Sequence, residues 1–233
     1  MPAKTWTEEE LKKVSDSLEG KSPQEAIKWA VDNFATKDLS LACSFGAEDV
    51  ALVDMLVKIK PDARVFYLDT DLLFKESLEV KDRLASKYSI KPERYGAKTT
   101  LDEMAAEFGP ELWKKDPDKC CNIRKMVPLA EALSGLKAWI TGIRRDQAPT
   151  RANAPVVSWD AKFKLVKINP LVRWTSEDVW NYIRANGVPY NVLHDNNYPS
   201  IGCAPCTRQV MPGEDPRAGR WAGFQKTECG LHK

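Results

Sequence analysis

The stretch Leu39-Ser40-Leu41-Ala42-Cys43-Ser44-Phe45-Gly46-Ala47-Glu48-Asp49 decides the fold. Its first six residues form a short, mostly apolar run, the pattern of a strand buried on both faces. The run Glu48–Lys58 that follows is rich in apolar residues over a length that suits a helix, with Gly46 in the turn between them. Toward the C-terminus the same alternation recurs: Arg64–Leu68 reads as a strand, Phe74–Tyr88 as a helix and Ala138–Thr141 as a later strand. Strands alternating with helices of this length predict an α/β fold, a parallel sheet with helices on both faces. In such sheets ligands bind beyond the carboxyl ends of the strands, so the strand-to-helix loops are where function is sought.

Toward the N-terminus, residues 1–37 read as two helices that pack on the core. Thr7 and Glu10 match a capping box, Trp6 can staple onto Leu11, and Leu11, Val14 and Leu18 share a face. Ser22-Pro23-Gln24-Glu25 opens the second helix, with proline in the first turn, where its missing N–H is no loss. Farther along, Val156–Ile168 suggests a hairpin turning at Asp160-Ala161-Lys162. Thr175–Asn186 reads as a capped helix closed by Gly187. Val179, Trp180, Tyr182 and Ile183 on that helix are expected in the core.

Three loops carry candidate chemistry. Ser44, Phe45, Gly46 and Glu48 run from strand into helix, where glycine admits a close ligand and the helix amides attract an anion. The alternative is a tight turn capped by Ser44. Neither a Walker A pattern nor G-x-G-x-x-G occurs. Asp69 and Thr70 place a carboxylate and a hydroxyl at the next strand end, suited to a ribose or an adenine edge. Thr141 and Gly142 precede Arg144 and Arg145, two cations after a glycine, which make poor core and good anion clamps. A solvated charge run is the alternative there.

The chain has six cysteines. Cys120 and Cys121 are adjacent and cannot bridge each other without backbone distortion. Cys203 and Cys206 form a C-x-x-C, which can be a redox pair or half a metal site. Four thiols in two tight pairs point to a metal centre, and thiolates select zinc, copper(I) or iron–sulfur clusters. An iron–sulfur cluster is favoured because several metal corners can serve neighbouring cysteines. Cys43 reads as a small buried hydrophobe. Cys229 stands apart in Thr227-Glu228-Cys229-Gly230-Leu231-His232 and is free to be a nucleophile.

At 233 residues the chain is expected to form a single domain spanning 1–233 with a core that needs no disulfides. The net charge of +2 gives no global field for nucleic acid. No apolar run suits a membrane span, Met1–Glu10 has no leader signature, and reduced cysteines fit a cytoplasmic location.

Together these motifs resemble the assimilatory sulfonucleotide reductases, in particular the iron–sulfur-containing adenylyl-sulfate (APS) reductases. The resemblance covers nearly all of the chain after residue 38. Beyond the three loops it takes in Cys120-Cys121-Asn122-Ile123-Arg124-Lys125, Asn169-Pro170-Leu171 and Leu193-His194-Asp195. It continues through Tyr198-Pro199-Ser200-Ile201-Gly202-Cys203, Arg217-Ala218-Gly219-Arg220-Trp221 and the Cys229 motif. It implies an adenine nucleotide α-hydrolase-like fold related to the PP-loop ATP pyrophosphatases.

The resemblance also implies a chemistry. The substrate is a phosphate–sulfate anhydride, whose sulfur is electrophilic but surrounded by anionic oxygens. Cys229 is then the nucleophile, giving an S-sulfocysteine and AMP. A separate dithiol protein, thioredoxin or glutaredoxin, frees sulfite by thiol exchange. Lys125, Arg144, Arg145, Arg217 and Arg220 are the implied cations that hold the sulfonate and favour the thiolate. His232 is near enough in sequence to Cys229 to touch the same anion, the alternative being a frayed tail histidine. Cys120, Cys121, Cys203 and Cys206 are the implied ligands of a [4Fe-4S] cluster with an electrostatic and organising role. A homo-oligomer is expected.

Asp71 departs from the family by standing where glycine is usual, which bears on the turn there. The 211–233 segment, with several glycines, is expected to be a mobile catalytic tail that closes like a lid. The alternatives are use of 3′-phospho-APS (PAPS), alone or alongside APS, an ATP pyrophosphatase or ligase of PP-loop type, and a non-catalytic iron–sulfur sensor.

Overall fold

The computed structural model describes residues 5–224, 226 and 230. Its centre is a six-stranded sheet made of β1 (Leu39–Ala42), β2 (Arg64–Asp69), β3 (Glu93–Gly96), β4 (Ala138–Ile140), β5 (Val157–Asp160) and β6 (Leu165–Ile168). The order is β3-β2-β1-β4-β6-β5. Every neighbouring pair is parallel except β5 on β6, which forms the expected hairpin with Val157 opposite Ile168. The sheet is therefore parallel except at the edge that carries this hairpin, as the sequence pattern predicts.

The helices are α1 (Glu8–Leu18), α2 (Pro23–Asn33), α3 (Ala47–Ile59), α4 (Lys75–Tyr88), α5 (Leu101–Phe108), α6 (Leu112–Lys115), α7 (Pro117–Cys121), α8 (Val127–Leu133) and α9 (Ser176–Asn186). A π-helical turn, Asn122–Met126, joins α7 to α8. Capping boxes start α1 at Thr7, α2 at Ser22 and α9 at Thr175, and Gly187 closes α9 at φ 56°. Trp6 packs with Trp29 and Phe34, their ring centroids 5.3 and 6.3 Å away.

Period-two alternation divides the strand side chains between two cores. Val65, Tyr67, Ala138, Ile140, Val166 and Ile168 join the larger core under α2, α3 and α9. Phe66, Trp139 and Leu165 face the other way, against Leu129, Ala132 and Leu133 of α8. Helices thus cover both faces.

Helix α3 is buried nearly all round and carries one deeply buried charge. Asp54, its side chain 1 % exposed, accepts from Tyr88 Oη at 2.8 Å and Tyr182 Oη at 2.6 Å, and pairs with Lys58 at 2.7 Å. Burial pushes its pKa up, but those donors outweigh it and the carboxyl lies below its usual range. Asp54 therefore ties α3 to α4 and α9, and Tyr182 has a polar task besides packing. Among the described residues no helix is long and apolar enough to cross a membrane.

Candidate active site

A cleft of about 410 Å³ opens at the carboxyl ends of β1, β2 and β4, where the topology calls for a ligand. Its floor is the Ser44–Asp49 loop. Ser44 donates from both its backbone N–H and its hydroxyl to Asp49 Oδ2, each at 2.6 Å. Gly46 is the N-cap of α3, and no side chain caps this helix. Burial pushes the Asp49 carboxyl up to about 6, opposed by the two Ser44 bonds. Phe45 holds a left-handed backbone at φ 63°. Its ring is buried with its centroid 5.3 Å from that of Tyr67, so the residue serves the core and offers the cleft its backbone. Cys43 is buried as expected and also reaches the cleft wall.

Thr141 and Gly142 form the adjoining wall. Thr141 Oγ1 donates to Asn169 Oδ1 at 2.6 Å, giving the Asn169-Pro170-Leu171 motif a structural task. A Cβ on Gly142 would lie 2.3 Å from Asp49 Oδ1 and 2.9 Å from Glu48 Cβ. Only glycine lets this strand end approach the start of α3 so closely.

Of the expected cations, Lys125, Arg144, Arg217 and Arg220 line the cleft. Arg144 is buried, with Nε donating to Glu48 Oε1 at 3.0 Å and Nη1 paired with Asp146. Two carboxylates thus balance its charge, and it braces the wall. Arg145 is not in the cleft. It pairs with Glu19 and donates to the Ala154 carbonyl at 2.8 Å, tethering the loop to the end of α1. The extended backbone at Arg144 (φ −123°) sends successive side chains to opposite sides, so the pair cannot clamp one anion together.

Asp69 is likewise outside the cleft lining, because Arg94 donates to its Oδ2 at 2.7 Å on the β3 side. Thr70 is fully buried and does line the cleft. Arg220 Nη1 donates to Ser200 Oγ at 3.1 Å, and its guanidinium lies against Gly202, where any Cβ would come within 2.2 Å of it.

Behind one wall lies a second pocket ringed by Cys120, Cys121, Cys203 and Cys206, so both sequence pairs meet. Burial and the neighbouring thiols push Cys120 up to about 12 and Cys206 up to about 11. Burial also opposes ionisation of Cys203, but Lys125, the Thr70 hydroxyl at 3.3 Å and Arg220 overcome it and lower its pKa. Among the described residues no group of three or more His, Cys, Asp or Glu side chains is arranged to hold a metal ion. Lys125 is common to both pockets, lining the cleft and the cysteine ring.

The segment after Cys206 folds back on this region. Trp221 N–H donates to the Cys206 carbonyl at 3.0 Å, Arg208 N–H donates to the Gly219 carbonyl at 2.9 Å, and the Trp221 ring is buried in the cysteine pocket wall. Lys226 Nζ donates to the Pro117 carbonyl at 3.2 Å and Lys162 Nζ to the Gly230 carbonyl at 3.1 Å. Cys229 and His232 lie outside the described residues.

Several contributors were not legible beforehand. His194 lines the cleft edge-on to Trp180, with ring centroids 5.1 Å apart, and its ring bonds to the backbone of Tyr198. Trp180, expected in the core, also reaches the cleft. Gln147 donates to Glu48 at 3.0 Å and accepts from Arg151 at 2.5 Å, extending the polar wall.

Comparison with known proteins agrees with this architecture. Residues 38–209 match the model of the phosphoadenosine phosphosulfate reductase domain. The chain is 49% identical over 215 residues to an adenosine 5′-phosphosulfate reductase of Staphylococcus epidermidis, covering 92% of this chain and 88% of that one. It is 45% identical over 229 residues to one from Geobacillus sp. strain WCH70, covering 98% and 97%. A phosphoadenylyl-sulfate (PAPS) reductase from Candida auris, solved as a phosphate complex, superposes with TM-score 0.78 at 30% identity, over 89% of this chain and all of that one. Candida glabrata FMN adenylyltransferase, 14% identical with TM-score 0.58 over 88% of this chain and 76% of that one, shares the fold alone. With the family match running from the first strand to just past the second cysteine pair, the chain belongs to the phosphoadenosine phosphosulfate reductase family.

Proposed function

We propose that the protein reduces adenosine 5′-phosphosulfate to sulfite and AMP, with Cys229 as nucleophile and an external thioredoxin or glutaredoxin as reductant. One observation carries the reading: the buried Lys125 reaches both a nucleotide-sized cleft and the ring of cysteines. The identity to APS reductases over most of their length supports the choice of APS. An ATP ligase of PP-loop type would leave the Glu228-Cys229-Gly230-Leu231-His232 motif without a role.

The cleft holds the nucleotide between the Ser44–Glu48 loop and the Thr141–Gly142 strand end. Lys125, Arg217 and Arg220 neutralise the phosphosulfate, so that a thiolate can approach its sulfur against the surrounding negative charge. The Cys229 thiolate attacks that sulfur and the S–O bond to the phosphate breaks. AMP leaves with the electron pair, and the sulfonate remains on Cys229. One thiol of the dithiol donor then attacks the Cys229 sulfur and releases sulfite. Its second thiol resolves the mixed disulfide, so the donor leaves as a disulfide and Cys229 returns as a thiol. The donor supplies both electrons.

Cys120, Cys121, Cys203 and Cys206 would hold a [4Fe-4S] cluster. The donor set supports this: four thiols, three of them buried, converge on one pocket, and thiolates select iron–sulfur clusters, zinc or copper(I). When bound, the cluster supplies fixed charge beside Lys125. The residues 211–233 form the tail that presents Cys229.

The test is parallel turnover of APS and PAPS with thioredoxin, using the wild type and Cys229→Ser. The reading predicts sulfite from APS, none from the variant, and the same iron content in both. Pyrophosphate release from ATP with no sulfite from APS would overturn it.

A further inference from the structure

Asp71, two residues beyond the end of β2, adopts a left-handed backbone at φ 54°. Aspartate enters that region at some expense, tolerated better by it than by most side chains. Here its N–H donates to Asp69 Oδ1 at 3.0 Å, closing a local turn. Its carboxylate does more. One oxygen accepts from Arg94 Nη2 at 3.0 Å, and the other pairs with Arg124, whose side chain is 1% exposed.

Arg124 belongs to the π-helical turn directly after Cys121 and directly before Lys125, and it forms part of the cysteine pocket wall. Its guanidinium is fully engaged by the β2–α4 loop and its surroundings, with Nε donating to the Thr70 carbonyl at 2.9 Å and Nη1 to the Thr99 carbonyl at 2.5 Å. The same loop grips the other cysteine pair. Thr70 Oγ1 lies 3.3 Å from Cys203 Sγ, the Leu72 carbonyl accepts from Ala204 N–H at 2.7 Å, and Leu73 makes an isolated antiparallel bridge to Cys203. Residues 69–73 therefore splice together two cysteine-bearing segments that are far apart in sequence.

We propose that Asp71 is a positioning residue for the cysteine pocket: its ion pair with Arg124 locks the turn bearing Cys120, Cys121 and Lys125 against the loop that holds Cys203. The proposal rests on the reading that the four thiols hold an iron–sulfur centre. A buried guanidinium deprived of its carboxylate is strongly destabilised, so the turn shifts when the charge is lost.

The experiment uses anaerobically purified protein and follows the loss of visible absorbance under an iron chelator. Asp71→Asn and Asp71→Gly both accept a left-handed backbone, so each removes the charge and keeps the turn. Both should release iron at least roughly fivefold faster than the wild type, the scale of coupling between contacting groups. Combining Arg124→Met with Asp71→Asn should accelerate release by less than the product of the two single effects, because the ion pair can be lost only once; a variant that accumulates only as the double substitution would show the same coupling. Wild-type release rates in both Asp71 variants, or independent and additive effects of Asp71→Asn and Arg124→Met, would overturn the proposal. A wild-type protein that carries no iron would instead remove the cofactor reading beneath it.

Discussion

Lys125 and Cys203, which sit on different segments and meet at the boundary of the cleft and the cysteine pocket, are bonded and electrostatically coupled. The ammonium favours the thiolate of Cys203, and the same buried side chain forms part of the wall where an anionic substrate would lie. This is an economical way to place one positive charge in two sites, and it makes Lys125 the most informative side chain to remove.

Lys125→Ala should lower kcat/KM for sulfite formation by about 10²–10³, the usual loss when a preorganised charge at a reacting anion is deleted. Arg145→Ala, by contrast, removes a tether to Glu19 outside the cleft and should leave kcat/KM close to the wild-type value. Steady-state kinetics of the two variants side by side check both statements. Equal losses would show that the sequence-level pairing of Arg144 and Arg145 was the better guide.

Gly142→Ala should be severe for so small a change. The new methyl would meet Asp49 Oδ1 at 2.3 Å and Glu48 Cβ at 2.9 Å, and the latter cannot move without α3. Overpacking of this kind destabilises by about 1–3 kcal/mol. Because the strain falls on the floor of the cleft, AMP affinity measured by calorimetry should fall as well as the melting temperature.

Asp54→Ala should destabilise the fold by about 1–3 kcal/mol, since it leaves two partly buried phenols without their acceptor, while Lys58 is half exposed and keeps its bond to Asn186. The pH dependence has a definite sign. The folded-state pKa of Asp54 lies below its unfolded value, so its contribution is complete above the unfolded carboxylate pKa and disappears as pH falls through the folded one. Denaturant melts should show the gap between wild type and Asp54→Ala narrowing in acid.

Asp49 has the opposite sign. Burial lifts its folded carboxyl from the usual 3.8 to about 6 against the two Ser44 bonds, with Glu48 adding to the rise and Arg151 opposing it. The folded state binds the proton more tightly, so ionising Asp49 lowers stability as pH rises from the unfolded value through about 6. The melting temperature of Asp49→Asn relative to wild type should therefore climb between acid and neutral pH. A constant difference across that range would contradict the assignment.

Much of this architecture was legible because the decisive strands are apolar, short and followed by helices. Leu39–Ala42, Arg64–Asp69 and Ala138–Ile140 stand within a residue or two of where the pattern places them. Strand β3 was missed because Glu93-Arg94-Tyr95-Gly96 is a sheet edge whose side chains are only partly buried, and no apolar alternation marks it. In the site, the three loops named from the sequence all reach the cleft, though not every residue of them does. Adjacency in sequence cannot tell that Arg144 turns into the cleft and Arg145 toward Glu19. Nor can it show that Asp69 is taken by Arg94, or that Asp71 finds Arg124. Those outcomes depend on partners far away in the chain, as does the Asp54 cluster hidden between Val53 and Met55.

The central claim is covalent transfer of a sulfonate to Cys229, and it can be weighed. Protein incubated with APS in the absence of any dithiol should, by peptide mass spectrometry, carry one sulfonate mapped to Cys229, and the adduct should vanish on addition of thioredoxin with release of sulfite. A sulfonate on another residue, or sulfite formation with no adduct at any stage, would contradict the account.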